Sequence, residues 1–224
     1  MTFSVAARCA RTGRFGVAVA SSSAAVAARC AYARAGVGAV TTQNITDPRL
    51  GPQALELLAL GADAAEAVAA LRRTAPHAEY RQLTAVDAQG RTSWFSGART
   101  LGVHAAAEGP GVICAGNLLA DPGVPRAMVE AFAADEGDDL GDRILQAMQA
   151  GLEAGGEAGP IRSAGLKLVD RVAWPVADLR VDWDEAPLAA LALLWERWKP
   201  EQDAYVARAL DPASAPSYGV PGDP

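Results

Sequence analysis

The 224 residues suffice for one large domain with a full hydrophobic core, and 50% apolar with 21% charged residues is the balance of a globular chain, not a disordered one. A formal net charge of -6 gives no attraction to phosphate backbones or anionic lipid, which weighs against nucleic acid and membrane as partners. No run of about 18 apolar residues and no basic segment leading into an apolar cleavage region occurs, so the expected location is the cytoplasm.

In chain order, Thr2–Arg8 reads as a strand, the Arg11-Thr12-Gly13-Arg14 turn follows, and Phe15–Ser21 returns as a second strand. Residues 24–34 form an alanine-rich connection. Residues 36–43 read as a third strand, with glycines where another backbone passes close. Asp47-Pro48 and Gly51-Pro52 punctuate a loop before a helix carrying Leu55, Leu58 and Leu60, which Gly61 stops. A second helix carries Ala65, Val68, Ala69 and Leu71, with Arg72 and Arg73 near its C-terminal end.

Residues 81–86 and 91–96 flank an Asp87-Ala88-Gln89-Gly90 turn and form a hairpin. A short strand at 111–115 closes on Gly116-Asn117. Helices are expected at 124–134 and 140–154, a hairpin-like pair of strands at 163–169 and 171–176, and a last helix from Pro187 through Trp198. Trp174, Trp183, Trp195 and Trp198 are expected to pack in the core and on that helix. Hairpins separated by helix pairs point to layered α+β rather than alternating β-α units. The expected division is a domain over 1–184 and a C-terminal helix and Pro/Gly-rich tail over 185–224, packed on it.

Cys9, Cys30 and Cys114 are widely spaced among small apolar residues, which reads as buried inert thiols. His77 and His104 stand alone, so no metal site is expected. No phosphate loop, dinucleotide fingerprint or G-x-S-x-G elbow occurs, so no cofactor is expected either.

Thr2 carries the chemistry of interest. Loss of Met1 before a small second residue leaves threonine at the N-terminus, with an α-amine of pKa about 7.7–8.0. Such an amine can accept the proton of its own residue's hydroxyl, so that one residue is both nucleophile and base.

A strand opening at Thr2, a tight turn, a return strand ending in Ser21, a cation at Arg34 and a strand-loop-helix from Thr42 to Gly51 resemble, in that order, the N-terminal threonine hydrolases of the proteasome type. More closely, the chain resembles throughout its length a bacterial and archaeal family of unknown function grouped with the N-terminal-nucleophile (Ntn) hydrolases. The shared motifs are Thr2-Phe3-Ser4, Gly-Val-Ala-Val-Ala-Ser at 16–21, Ala-Arg-Ala-Gly-Val-Gly-Ala-Val at 33–40, Thr42-Gln43, Arg81-Gln82 and Gly116-Asn117.

The resemblance implies a four-layer α/β/β/α sandwich in which the first and third strands lie side by side. It implies that Arg34 lowers the amine's pKa, where proteasome-type enzymes use lysine. Thr42, Gln43 and Asn44 are placed at the oxyanion, where one donor contributes about 3–4 kcal/mol. Asn117 aims an amide into a cleft, and Glu157 and Ser163 hold the amine. Glu157 stands where relatives carry aspartate. Ser21, Thr42 and Asn44 are expected to touch substrate. The implied reaction is hydrolysis of a small amide or cyclic amide, in a chain that can form homo-oligomers. The alternative is a catalytically silent scaffold of the same fold that binds a metabolite or a protein partner.

Overall fold

The computed structural model describes residues 2–135 and 137–222. Strands β1 (Thr2–Arg8) and β2 (Phe15–Ser21) pair antiparallel in the register Phe3 to Ala20 and Arg8 to Phe15. Residues 24–34, read as a connection, instead form a one-turn helix α1 (Ala27–Cys30) and a short strand β3 (Ala31–Arg34). Alanine is a weak strand former, so β3 owes its conformation to pairing with β4 (Gly38–Asn44) rather than to local preference.

Helices α2 (Leu50–Ala59) and α3 (Ala64–Thr74) follow, the latter opened by a reciprocal capping box between Asp63 and Glu66. Then come β5 (Arg81–Asp87), β6 (Thr92–Ser96), β7 (Ala105–Gly109) and β8 (Val112–Asn117). Strand β7, Ala-Ala-Ala-Glu-Gly, also lacks branched residues and gives no strand signal of its own. Helices α4 (Val124–Ala133) and α5 (Leu140–Glu153) precede β9 (Ser163–Val169). Its partner β10 is Ala177–Val181, later than the expected 171–176, a stretch that holds Trp174-Pro175 in a loop. Proline has no N–H for a ladder, so pairing resumes beyond it. Helices α6 (Pro187–Trp198) and α7 (Gln202–Leu210) end the fold.

The strands form a six-stranded sheet ordered β10-β9-β2-β1-β8-β7 and a four-stranded sheet ordered β3-β4-β5-β6. Strand parity then sorts the side chains into layers. Phe3, Val5 and Ala7 of β1 face α4, α5 and α6, meeting Met128, Ile144, Met148, Leu191 and Trp195. Ala6, Val17, Val19, Ile113, Ala39 and Val86 fill the space between the sheets. Val40, Leu83 and Ala85 face Leu55, Leu58, Val68 and Leu71 of α2 and α3. The molecule is an α+β, four-layer α/β/β/α sandwich, with helices on both outer faces. Of the four tryptophans expected in the core, Trp195 is buried, while Trp174 and Trp183 are exposed. No helix among the described residues is long and apolar enough to cross a membrane.

The third strand does not lie beside the first. β1 is flanked by β2 and β8, and β4 faces it from the opposite sheet. The close backbone approach expected at the glycines is real at Gly38, where an added Cβ would stand 2.5 Å from the Val86 carbonyl oxygen. Backbone cannot yield as a side-chain end does. Gly38→Ala is therefore expected to destabilise by about 2–3 kcal/mol, read as a lowered urea midpoint at unchanged m-value.

Candidate active site

At the end of the sandwich where β1 begins, the layer between the sheets changes from apolar to polar. Thr2 and Ser4 of β1, Ser21 of β2, Ser163 of β9 and Asn117 of β8 all have the parity that faces the other sheet. Thr41 and Gln43 of β4 and Gln82 and Thr84 of β5 face them from it. All are buried, Thr2 being 5% exposed. A polar core region of this size is stable only if its groups are bonded to one another.

They are. Thr2 Oγ1 donates to Ser21 Oγ at 3.4 Å, and Ser21 Oγ accepts from the Ser23 N–H at 3.1 Å. Ser4 Oγ reaches Thr41 Oγ1 at 3.5 Å, which shares a 2.6 Å bond with Thr84 Oγ1. Gln82 is the hub of an amide cluster. Its Oε1 accepts from Gln43 Nε2 at 2.7 Å and from Asn117 Nδ2 at 3.2 Å, and its Nε2 donates to the Gly116 carbonyl and to Ser96 Oγ, both at 3.0 Å. Gln43 Oε1 and Asn117 Oδ1 are buried acceptors with no hydrogen-bond partner among the described residues. Such an unmet group costs about 1–3 kcal/mol.

Thr2 is directly opposite Asn117 in the β1–β8 register, and Ser21 is opposite Ser163 in the β2–β9 register. Glu157 joins from the loop after α5. Its two carboxylate oxygens accept the Ser22 N–H at 3.1 and 3.2 Å, and its backbone bridges Leu119. It thus sits between the ends of β2 and β8, the two neighbours of β1. Burial pushes its carboxyl up to about 7, against the downward pull of the positive amino terminus and of the Ser22 hydrogen bonds. It is a buried acid poised to gain or lose a proton near neutrality.

The backbone is strained at the same rim. Of the four non-glycine residues with left-handed φ among the described residues, Asn44 (76°) ends β4, and Ala25 (51°) and Leu118 (51°) lie just beyond β2 and β8. Each costs of order 1 kcal/mol or more, and such residues concentrate at functional sites. Asn44 locks this rim: its side-chain amide donates to the Tyr80 carbonyl and its Oδ1 accepts the Leu101 N–H at 3.2 Å. Ser163 has a comparable duty, donating to the Ser23 carbonyl at 2.6 Å and accepting the Val26 N–H at 3.1 Å.

Two expected members are misplaced. Arg34 shares its strand face with Tyr32, which packs on Gly51 of α2, and pairs with Glu56 of α2 at 2.5 Å. It therefore points away from β1. It also sits at the Gly38 end of β4, the end opposite Gln43. Thr42 likewise has the outer parity and donates to the Asp47 carbonyl at 3.3 Å. In both cases the twofold alternation of a strand overrides proximity in sequence. Since the Arg34–Glu56 pair is 45% and 61% exposed, Arg34→Ala should change stability by less than about 0.5 kcal/mol. It should leave any amide-cleaving activity intact in the same preparation.

Gln82, the hub, is the functional candidate that sequence reasoning missed. Its signal was its place in the shared Arg81-Gln82 pair, at the start of a strand that faces β1.

The model of the family of unknown function DUF1028 matches residues 2–191. The chain belongs to this family. A crystal structure of protein SPO2555 from Silicibacter pomeroyi, also of the DUF1028 family, is similar with a TM-score of 0.81 at 28% identity, over 88% of each chain. Weaker likenesses extend to Anbu (ancestral beta-subunit) from Yersinia bercovieri, with a TM-score of 0.39 at 11% identity over 92% of this chain and 96% of that one. Anbu from Hyphomicrobium sp. strain MC1 gives a TM-score of 0.38 at 11% identity over 97% and 100%. No curated protein matches. The DUF1028 match spans β1 through the start of α6 and so takes in every residue of the polar cluster.

Proposed function

We propose that this DUF1028 protein is an amide hydrolase of the Ntn type, acting in the cytoplasm on a small amide or cyclic amide with Thr2 as nucleophile. The observation that carries the reading is the placement of Thr2. It opens a central strand at the polar end of the inter-sheet layer, with Ser21 and Asn117 on the flanking strands and Glu157 between their ends. Met1, whose removal the mechanism requires, lies outside the described residues.

With the α-amine freed, the amine nitrogen takes the Oγ proton and Oγ attacks the substrate carbonyl. The tetrahedral intermediate collapses, the C–N bond breaks, and the leaving amine departs with that proton. The resulting Thr2 ester is cleaved by water, with the amine again as base, releasing the acid. Glu157 as carboxylate holds the amine, and Ser21 orients Oγ. The Gln43 and Asn117 amide groups each keep one N–H beyond the bond to Gln82, for an oxyanion, and an unpartnered carbonyl oxygen, for an N–H of the substrate. A cluster of amides and hydroxyls with one acid suits a neutral amide better than a charged substrate. Ser163 and Asn44 serve as positioning residues.

The near-complete burial of Thr2 favours one other reading, a silent scaffold that binds a metabolite or partner through its rim. Assay of an untagged preparation against a panel of small linear and cyclic amides separates the two. Turnover that disappears when one residue is added before Thr2 supports the hydrolase; turnover indifferent to that addition supports neither Thr2 nor its amine.

A further inference from the structure

The opposite end of the sandwich holds a second site. Three hairpin turns meet there: that between β1 and β2, that between β5 and β6, and Pro110-Gly111 between β7 and β8. With the first turn of α5 they enclose a cavity of about 450 Å³ lined by Arg8, Cys9, Arg11, Gln89, Gly111 and Arg143, a volume typical of small-molecule sites.

The arginines give it its character. Arg143 is 6% exposed, and its Nε and Nη2 both donate to the Phe132 carbonyl, at 3.1 and 2.9 Å, with the guanidinium 4.0 Å from the Phe132 ring centroid. Arg8 has a buried Nε with no hydrogen-bond partner among the described residues, and its guanidinium lies 6.0 Å from the Phe15 ring centroid. Arg11 donates to the Gly137 and Asp138 carbonyls at 3.0 and 3.3 Å. None of the three makes an ion pair with a described residue.

Among the described residues, the neighbouring acids Asp87, Asp138 and Asp139 have other partners. Asp139 caps α5 and pairs with Arg14, Asp138 accepts from Gln146, and Asp87 is held by Arg91 and the Ala64, Gln89 and Arg91 N–H groups. A buried guanidinium without a counter-charge costs several kcal/mol; Arg143 is such a group, and half-buried Arg8 and exposed Arg11 line the same cavity with it, in a chain of net charge -6. The Cys9 thiol senses the same field. Burial pushes it up, but hydrogen bonds from Thr12 and Arg11 and the Arg11 charge bring it below its usual range, whereas Cys30 and Cys114 are raised by burial.

We propose that this cavity binds a small oxyanion, a phosphate or carboxylate group of a small molecule, through Arg143, Arg8 and Arg11. Its depth at turns remote from Thr2 makes it a site distinct from the polar cluster.

Calorimetric titration of the full chain at low ionic strength with inorganic phosphate, and separately with succinate, tests it. The expected result is saturable binding of one anion per chain by at least one of the two probes, weakened about tenfold by Arg8→Gln and by Arg11→Gln, the loss of one charge-assisted contact each. Arg126→Gln, on an exposed helix face, serves as a control and should bind as the parent does. The better of phosphate and succinate identifies the group recognised. Absence of saturable binding by both probes, or binding that Arg8→Gln and Arg11→Gln leave unchanged, overturns the proposal.

Discussion

Thr2→Ala is expected to abolish cleavage of the amide substrate, by on the order of 10³-fold or more, about 4 kcal/mol in transition-state stabilisation. The reason is chemical rather than structural. Alanine keeps the strand and the backbone register with Asn117 and removes only the attacking oxygen and its bond to Ser21. Thr2→Ser keeps both hydroxyl and amine and should retain part of the rate. An additional residue before Thr2 keeps the hydroxyl but converts the amine into an amide, which has no useful proton affinity, so the loss should approach that of alanine. Measuring kcat/KM for these three chains with one substrate separates loss of the nucleophile from loss of the base. Equal activity in Thr2→Ala and the parent would move the nucleophile elsewhere.

Glu157→Gln should raise stability at alkaline pH while removing activity. The Glu157 carboxyl is raised from 4.5 to about 7 by burial, so the folded protein holds this proton more tightly than the unfolded chain does. The stability this contributes is fully present below pH 4.5 and is lost as pH rises through about 7. Glutamine stays neutral throughout and escapes that loss. The variant should therefore match the parent near pH 4.5 and exceed it at pH 8, by at most about 3 kcal/mol. Urea unfolding at the two pH values reads the difference directly; parallel stability-pH curves for the two chains would contradict it. A carboxylate kept buried at a cost in stability and needed for turnover is the trade expected of a functional group.

Much of the fold was legible in the sequence. The β1–β2 hairpin follows from two apolar runs around Arg11-Thr12-Gly13-Arg14, and α2 to α5 follow from helical spacing between clear punctuation. Strands β3 and β7 were not legible, because alanine-rich segments carry little strand preference and take their conformation from the strands they pair with, β4 and β8.

The site was legible as a set of strand ends but not in its orientation. Ser21, Gln43, Asn117 and Thr2 share one layer because their parities agree. Parity also excludes Arg34 and Thr42, a test that counting from Tyr32 and Val40 would have allowed had their neighbours been known. Glu157 and Gln82 meet the cluster through contacts between segments far apart in sequence. The same is true of Arg8, Arg11 and Arg143, which form no motif.

The most direct measurement is intact mass of untagged protein before and after treatment with a β-lactone electrophile, followed by mapping of the adduct. The chain should lack Met1 and gain one acyl group per molecule, as an ester on Thr2 that Thr2→Ala does not form. A chain that retains Met1, or one that acquires the same adduct when Thr2 is alanine, would contradict an N-terminal threonine nucleophile.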